Sequence, residues 1–419
     1  MNKKNIFLWC LYDFANSIVS IVFFLYFSQW LVVDHGVSDF WYNMLFVFAT
    51  ILLILTAPML SVLADKSGKS FSFFKQSTVV VWILFIILSL VTLFLPNQII
   101  LAMVVYIFGN FTYQMSFVFY TPLLNEIAPE DKRGRISGIG NASSWLGQIA
   151  GLLLVLPFIN GNIYLFGELG RAQAFLPATI IFIILSLPML IFFKKQNFVT
   201  QKQISLTHLK QEYKDVFRQA RSLFILPGVL TFFLAFFFFN DAILTAQNNF
   251  PIVMEKVFFM ADEKKTVLLI LILITTSIGS VLCGYLGDRF GLKRVLLWIL
   301  GGWIIIFPLI GISKTVGMLT ILMTIMGIIF GGVWAVSRAL LSKIIPREKL
   351  NHAFSFYLLS ERFASFLGPL VWSGIVVFAP STGGLNYRIA MVSMTVFIII
   401  GFILIRKMEY KEVKTIDNI

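Results

Sequence analysis

Apolar residues do not alternate along this chain. They come in long unbroken runs, and polar residues collect in the short gaps between them. Crossing a bilayer as a helix takes about 20 mostly apolar residues. Twelve runs suit that length: 6–33, 40–63, 75–95, 98–125, 136–160, 173–193, 222–249, 265–287, 293–313, 316–341, 352–378 and 387–406. Backbone groups in lipid must be satisfied within their own segment, so continuous runs predict helices. A β-barrel is excluded, because its strands alternate apolar and polar residues. The pattern predicts an all-α polytopic membrane protein of twelve transmembrane helices.

The one long connection, 194–221, divides the spans six and six. It carries seven cations from Lys194 to Arg221, and Leu206, Leu209, Tyr213, Val216 and Phe217 share one helical face. That predicts a basic amphipathic helix on the inner membrane surface. The expected organisation is an N-terminal six-helix bundle (1–193), the cytoplasmic linker (194–221), a C-terminal six-helix bundle (222–406) and a cytoplasmic tail (407–419). With the N-terminus inside, the outer loops hold only Arg171, Lys256, Lys264, Lys265, Lys314 and Arg388. Arg338 and Arg362 lie within spans, and the other 25 of 33 cations fall in inner loops and tails. Short-loop cations mark the cytoplasmic side, so both termini are expected there.

Composition agrees. The 419 residues are 58% hydrophobic and 13% charged, with a mean hydropathy of +0.89. A soluble domain is roughly 45–50% apolar and about 25% charged. The net charge of +13 belongs to the inner loops and does not argue for nucleic acid. The first run follows Lys3 and Lys4 but contains Asp13 and Asn16 and has no small-residue cleavage site. It is therefore read as a retained helix, not a signal peptide. Cys10 and Cys283 form no CxxC and no metal-ligand cluster. His35, His208 and His352 are far apart, in loops or at a span end, and read as solvated surface residues. No P-loop, GxGxxG or nucleophile elbow occurs in a fitting context. No enzyme, cofactor or metal site is expected.

Polar residues inside spans are expensive and are functional candidates by default. A lone Ser or Thr more often supplies a helix–helix hydrogen bond, but a polar stripe at helical spacing requires a wet face. The first span carries Asp13, Asn16, Ser17 and Ser20; the fourth Asn110, Tyr113, Gln114 and Thr121; the fifth Asn141, Ser144, Trp145 and Gln148. In the second half the seventh carries Asn240, Asp241, Thr245 and Asn248; the tenth Trp334, Ser337 and Arg338; the eleventh Tyr357, Ser360, Glu361 and Arg362. The third, sixth, ninth and twelfth are almost wholly apolar and are expected to face lipid. Gly147 and Gly151, and Gly327 and Gly331, are spaced for close helix packing. Arg338 and Glu361 are expected at similar depth, as a pair that leaves Arg362 for an anionic solute group.

One stretch, Gly284-Tyr285-Leu286-Gly287-Asp288-Arg289-Phe290-Gly291-Leu292-Lys293-Arg294, packs an acid, three cations and three glycines between two spans. A weaker copy, Ser61-Val62-Leu63-Ala64-Asp65-Lys66-Ser67-Gly68-Lys69, lies 223 positions earlier, about half the chain. That offset predicts an internal duplication. The pattern resembles the loop between the second and third helices of each half in major facilitator superfamily transporters. The resemblance implies a gating role for Asp65, Gly68, Gly284, Asp288, Arg289 and Gly291, with the aspartates latching the cytoplasmic side.

Further stretches resemble one branch of that superfamily, the vacuole effluxer-like family. They are Trp9 through Ser17, Arg133 through Gly138, Asn240-Asp241 with Thr245, Gly331-Gly332 with Ser337-Arg338, and Tyr357 through Gly368-Pro369. Ala242, Leu244, Trp334 and Glu361 depart from the family's usual residues. The resemblance implies a major facilitator bundle and an amino-acid exporter. The residues themselves point to secondary transport of a small polar solute by alternating access, with a polar cavity between the halves. An amino acid or similar zwitterion is the first expectation, and a proton the candidate coupling ion. Asp13 and Asp241, 228 positions apart in the first span of each half, can bind a proton, bind the ammonium of the solute, or cap a bent helix; Asn16 and Asn240 are their candidate hydrogen-bond partners. A non-transporting receptor or scaffold and a lipid-handling protein are the alternatives. Intact loop motifs in both halves argue against the first, and inward polar stripes against the second. A monomer in a bacterial inner membrane is expected.

Overall fold

The computed structural model describes residues 3–66, 69–127, 133–193, 218, 221–346, 349, 353–354, 356–357, 360–361 and 366–409. Among these there is no strand, and eleven helices are long and apolar enough to cross a membrane. The chain forms two compact units, Met1–Tyr213 and Lys214–Ile419. The linker helix expected over 194–221 lies, apart from positions 218 and 221, outside the described residues.

In the first unit, α1 (Lys3–Val22) continues through two π turns, Phe23–Phe27 and Trp30–Asp34. Wide turns loosen the backbone ladder. Here the Ser28 hydroxyl and the Gln29 amide donate back to the Leu25 carbonyl, at 2.9 and 2.8 Å. Then come α2 (Asp39–Lys66), α3 (Ser70–Phe94), α4 (Ile99–Tyr120), α5 (Arg133–Ile159) and α6 (Phe175–Phe192). A single turn, Leu123–Ile127, separates α4 from α5. The main packing partner of α1 is α5, and glycine allows it. A Cβ on Gly147 would stand 2.2 Å from the Phe14 carbonyl oxygen, and one on Gly151 2.8 Å from that of Ile18. The glycine spacing in the sequence marks this seam.

The second unit holds α7 (Val229–Lys256), α8 (Asp262–Phe290), α9 (Leu292–Ile312), α10 (Val316–Ile344), α11 (Leu367–Phe378) and α12 (Leu385–Lys407). Its tightest pair is α8 with α10, again along glycines. A Cβ on Gly331 would lie 2.0 Å from the Thr276 carbonyl oxygen.

Several boundaries differ from the sequence expectation, and three of the differences bear on the site. The seventh span starts at Val229, not at 222, because Pro227 and a left-handed Gly228 (φ 78°) break the run. The motif around Asp288 is mostly helix: α8 runs through Phe290, and the turn shrinks to Gly291, at φ 92°. The eleventh run, expected as one helix over 352–378, yields a described helix of only 12 residues, beginning at Leu367. Pro369 lacks an N–H and fits the first turn of a new helix, where amides have no helical partner anyway.

The helices carrying the two span aspartates are also tied at their far ends. Arg171 pairs with Asp34 at the end of the first span, 2.5 Å. Lys265, fully buried, pairs with Glu255 near the end of α7 and with Asp262, each at 2.6 Å.

Candidate functional site

Asp13 and Asp241 occupy equivalent positions in α1 and α7. Each leans on a glycine of the fifth helix of its own unit. A Cβ on Gly140 would meet Asp13 Oδ2 at 2.9 Å; one on Gly368 would meet Asp241 Oδ1 at 3.0 Å. These glycines also stand 228 positions apart, the separation of the acids themselves. The duplication is thus visible as a repeated contact.

The surroundings then diverge. Gly368 is the second residue of α11, so its N–H has no carbonyl behind it and donates to Asp241 Oδ2, 2.6 Å. The Phe366 and Leu367 amides face the same carboxyl. An anion at a helix N-terminus meets both the free amides and the positive end of the dipole. Gly140 lies inside unbroken α5, where its N–H belongs to the helical ladder. Asp13 faces the Tyr120 hydroxyl at the end of α4 instead. Tyr120 stacks on Trp9 (5.3 Å between centroids) and donates to the Trp9 carbonyl, 2.8 Å. Asp13 is part-exposed, whereas Asp241 is fully buried.

The residues four positions after each acid diverge too. Ser17 bonds Ser144 on α5, 2.5 Å. Thr245 is buried against Gly368, and its hydroxyl has no hydrogen-bond partner. Neither expected amide partner serves its acid. Asn240 points away from Asp241, as adjacent helical residues must. It accepts from Trp334 Nε1 at 3.0 Å and reaches the Glu361 carbonyl at 3.4 Å. Asn16 is buried, and its Oδ1 makes no hydrogen bond.

Asn240 belongs to a second constellation within the same unit. Arg338 and Glu361 form an ion pair at 3.6 Å, their side chains 38% and 24% exposed. The guanidinium also sits over the Tyr357 ring, 5.8 Å from its centroid, as a cation–π contact allows. The structure therefore brings together Asn240, Trp334, Arg338, Tyr357 and Glu361. Arg362 lies outside the described residues.

In the first unit, Asn110, Tyr113, Gln114, Trp145 and Gln148 are part-exposed and Asn141 is exposed. Asp288, Arg289 and Gly291 are exposed and Gly284 part-exposed. Arg289 lies over the Phe290 ring at 5.3 Å. Asp288 makes no hydrogen bond or ion pair among the described residues. The Asp65 side chain and Gly68 lie outside them. Sequence reasoning missed Tyr120, Gly140 and Gly368 as partners of the acids. The shared 228-residue offset was the available signal for the glycines; nothing in the sequence distinguished Tyr120.

The helical bundle is similar to that in the crystal structure of a bacterial homolog to the human lysosomal transporter Spinster, inward-facing and unoccupied. The TM-score is 0.73 at 13% identity, covering 97% of this chain and 98% of that one. Identity this low shows the fold alone. In sequence, the chain is 25% identical over 421 residues to an uncharacterized MFS-type transporter, YxiO, of Bacillus subtilis (strain 168), covering 95% of this chain and 93% of that protein. It is 26% identical over 418 residues to a multi-drug resistance efflux pump PmrA homolog of Lactococcus lactis subsp. lactis (strain IL1403), covering 96% and 94%. Fold and relatives define a multi-pass membrane transporter of the major facilitator type. The model of the vacuole effluxer Atg22-like family matches residues 41–415. The chain belongs to that family.

Proposed function

We propose that this transporter moves a small zwitterionic solute, an amino acid or close analogue, by alternating access in a bacterial inner membrane. Both termini are cytoplasmic, the protein works as a monomer, and a proton is the coupling ion. The observation that carries this reading is the Arg338–Glu361 pair, loosely closed at 3.6 Å and part-exposed. A solute with a carboxylate and an ammonium can replace each partner for the other. Its carboxylate takes the guanidinium in a forked, charge-assisted contact, and its ammonium takes Glu361. The exchange leaves no charge unpaired, which is the costly outcome in a low-dielectric site. Asn240, Trp334 and Tyr357 border the pair and supply polar and aromatic contacts. Asp65 and Asp288 act as gating residues at the cytoplasmic ends of α2 and α8.

The test is uptake and counterflow in proteoliposomes across amino acids, peptides, sugars and siderophores. The expected result is saturable transport confined to zwitterions. Arg338→Met and Glu361→Gln each abolish it while the protein stays folded. Transport of neutral sugars, or full activity in both variants, contradicts the reading.

A further inference from the structure

We propose that Asp241 and Thr245 hold a monovalent metal cation, sodium, beside Gly368. The ion is a resident counter-charge; the proton keeps the coupling role, and the site does not depend on which solute is carried. Three oxygens form it. A Cβ on Gly368 would meet Thr245 Oγ1 at 2.3 Å, Asp241 Oδ1 at 3.0 Å and the Asp241 carbonyl oxygen at 3.1 Å, so its three nearest neighbours are all oxygen. Both side chains are fully buried, and neither Asp241 Oδ1 nor Thr245 Oγ1 makes a hydrogen bond. A hydroxyl has a hydrogen to give and a carboxylate oxygen accepts one. Here the two stand one helical turn apart, close on the same point, and stay unbonded. The Asp241 carbonyl accepts within α7 and has a second lone pair to spare. Acceptor oxygens gathered in this way are what a cation needs.

Charge and donor type select the ion. Asp241 Oδ2 takes the Gly368 N–H at 2.6 Å, which leaves Oδ1 uncompensated. A buried charge without a partner is costly, and the cations of this unit that reach inward are engaged elsewhere. Lys265 pairs with Glu255 and Asp262, Arg338 with Glu361, and Arg388 donates to the Gly311 and Ser313 carbonyls. A carboxylate, a carbonyl and a hydroxyl are hard oxygen donors, suited to hard cations and not to copper or zinc. One carboxylate balances one positive charge. A divalent ion would leave a surplus beside the positive end of α11, and calcium seeks about 6–8 oxygens. The carboxylate then lies between two positive neighbours, the helix start on Oδ2 and the ion on Oδ1.

The first unit lacks each part of this arrangement. A Cβ on Gly140 would meet the Trp9 ring, at 2.3 and 2.7 Å, before Asp13 Oδ2 at 2.9 Å. Ser17, four residues after Asp13, is already bonded to Ser144. Asp13 is part-exposed, so water can solvate its charge.

Thermal unfolding of the protein in lipid nanodiscs reads the site without a solute. The protein is purified in choline chloride, and sodium chloride then replaces choline stepwise at constant ionic strength. A cation that binds only the folded chain raises the midpoint as its concentration rises. The expected result is a midpoint that climbs with sodium in wild type and in Ser17→Ala, and stays level in Asp241→Asn and Thr245→Val. In choline alone Thr245→Val unfolds no earlier than wild type, so what it loses is the ion and not the fold. A level midpoint in wild type, as a protonated carboxyl would give, overturns the proposal, and so does a climb retained in either variant. If Asp241→Asn does not fold, Thr245→Val decides alone.

Discussion

Asp13 and Asp241 sit at matching positions of a duplicated fold, lean on matching glycines, and have opposite surroundings. The difference lies in the partner helix, not in the acid. In the second unit the helix opposite the acid starts beside it, at Leu367, and offers a free amide. In the first unit the corresponding helix runs unbroken from Arg133 to Ile159, and its amides are already used. One acid therefore takes a backbone N–H on Oδ2 while its buried Oδ1 has no hydrogen-bond partner; the other is part-exposed beside a helix whose amides are already used. Duplicated halves can keep a residue and change its work by breaking the neighbouring helix.

The hardest blow to both sites is steric. Gly140→Val and Gly368→Val place carbon where the Trp9 ring and the Thr245 hydroxyl stand, 2.3 Å from each Cβ position. Overpacking of this kind costs about 1–3 kcal/mol, sometimes more. Both variants are expected to lose the most stability in thermal unfolding, with Gly140→Val also quenching or shifting Trp9 fluorescence. A fully wild-type transition in either removes that glycine contact from the account.

Smaller, and more telling, is the comparison of the acids. Asp241→Ala strands a buried amide at the start of α11, a loss of about 1–3 kcal/mol. Asp13→Asn keeps the shape of a part-exposed side chain and strands no backbone amide, so it should cost less. Equal destabilisation by the two would erase the contrast.

The smallest effects come four residues on. Ser17→Ala loses the bond to Ser144, about 1 kcal/mol. Thr245→Val removes a buried hydroxyl that has no partner and replaces it with a methyl of the same shape. In choline chloride it should be neutral or slightly stabilising. A larger loss from Thr245→Val than from Ser17→Ala would mean that the threonine has a partner in another state.

Much of this was legible before the structure. Long apolar runs gave the helices, and paired glycines marked the fifth and tenth as closely packed, because close approach leaves room for no Cβ; that their partners are α1 and α8 came from the structure. Arg338 and Glu361 could be paired on depth alone. The break before Leu367 was not legible: the apolar content runs on through 352–378, and hydropathy is blind to where one helix stops and another starts. Pro369 was the only local sign, and proline is tolerated in membrane helices. The seventh helix misled in the same way at Pro227-Gly228. Asn240 was assigned to the wrong partner because proximity in sequence was taken for proximity in space, although adjacent helical residues diverge. Tyr120 looked like any aromatic at the end of a span; its bond to the Trp9 carbonyl joins residues 111 positions apart, which no local pattern marks.

The central claim is that the two acids do different work, and transport separates them. In proteoliposomes loaded with an amino acid that the panel shows to be carried, Asp13→Asn should abolish accumulation driven by a proton gradient and spare counterflow exchange. Asp241→Asn, at equal amounts of folded protein, should retain both. Loss of accumulation in both variants, or in neither, contradicts the account.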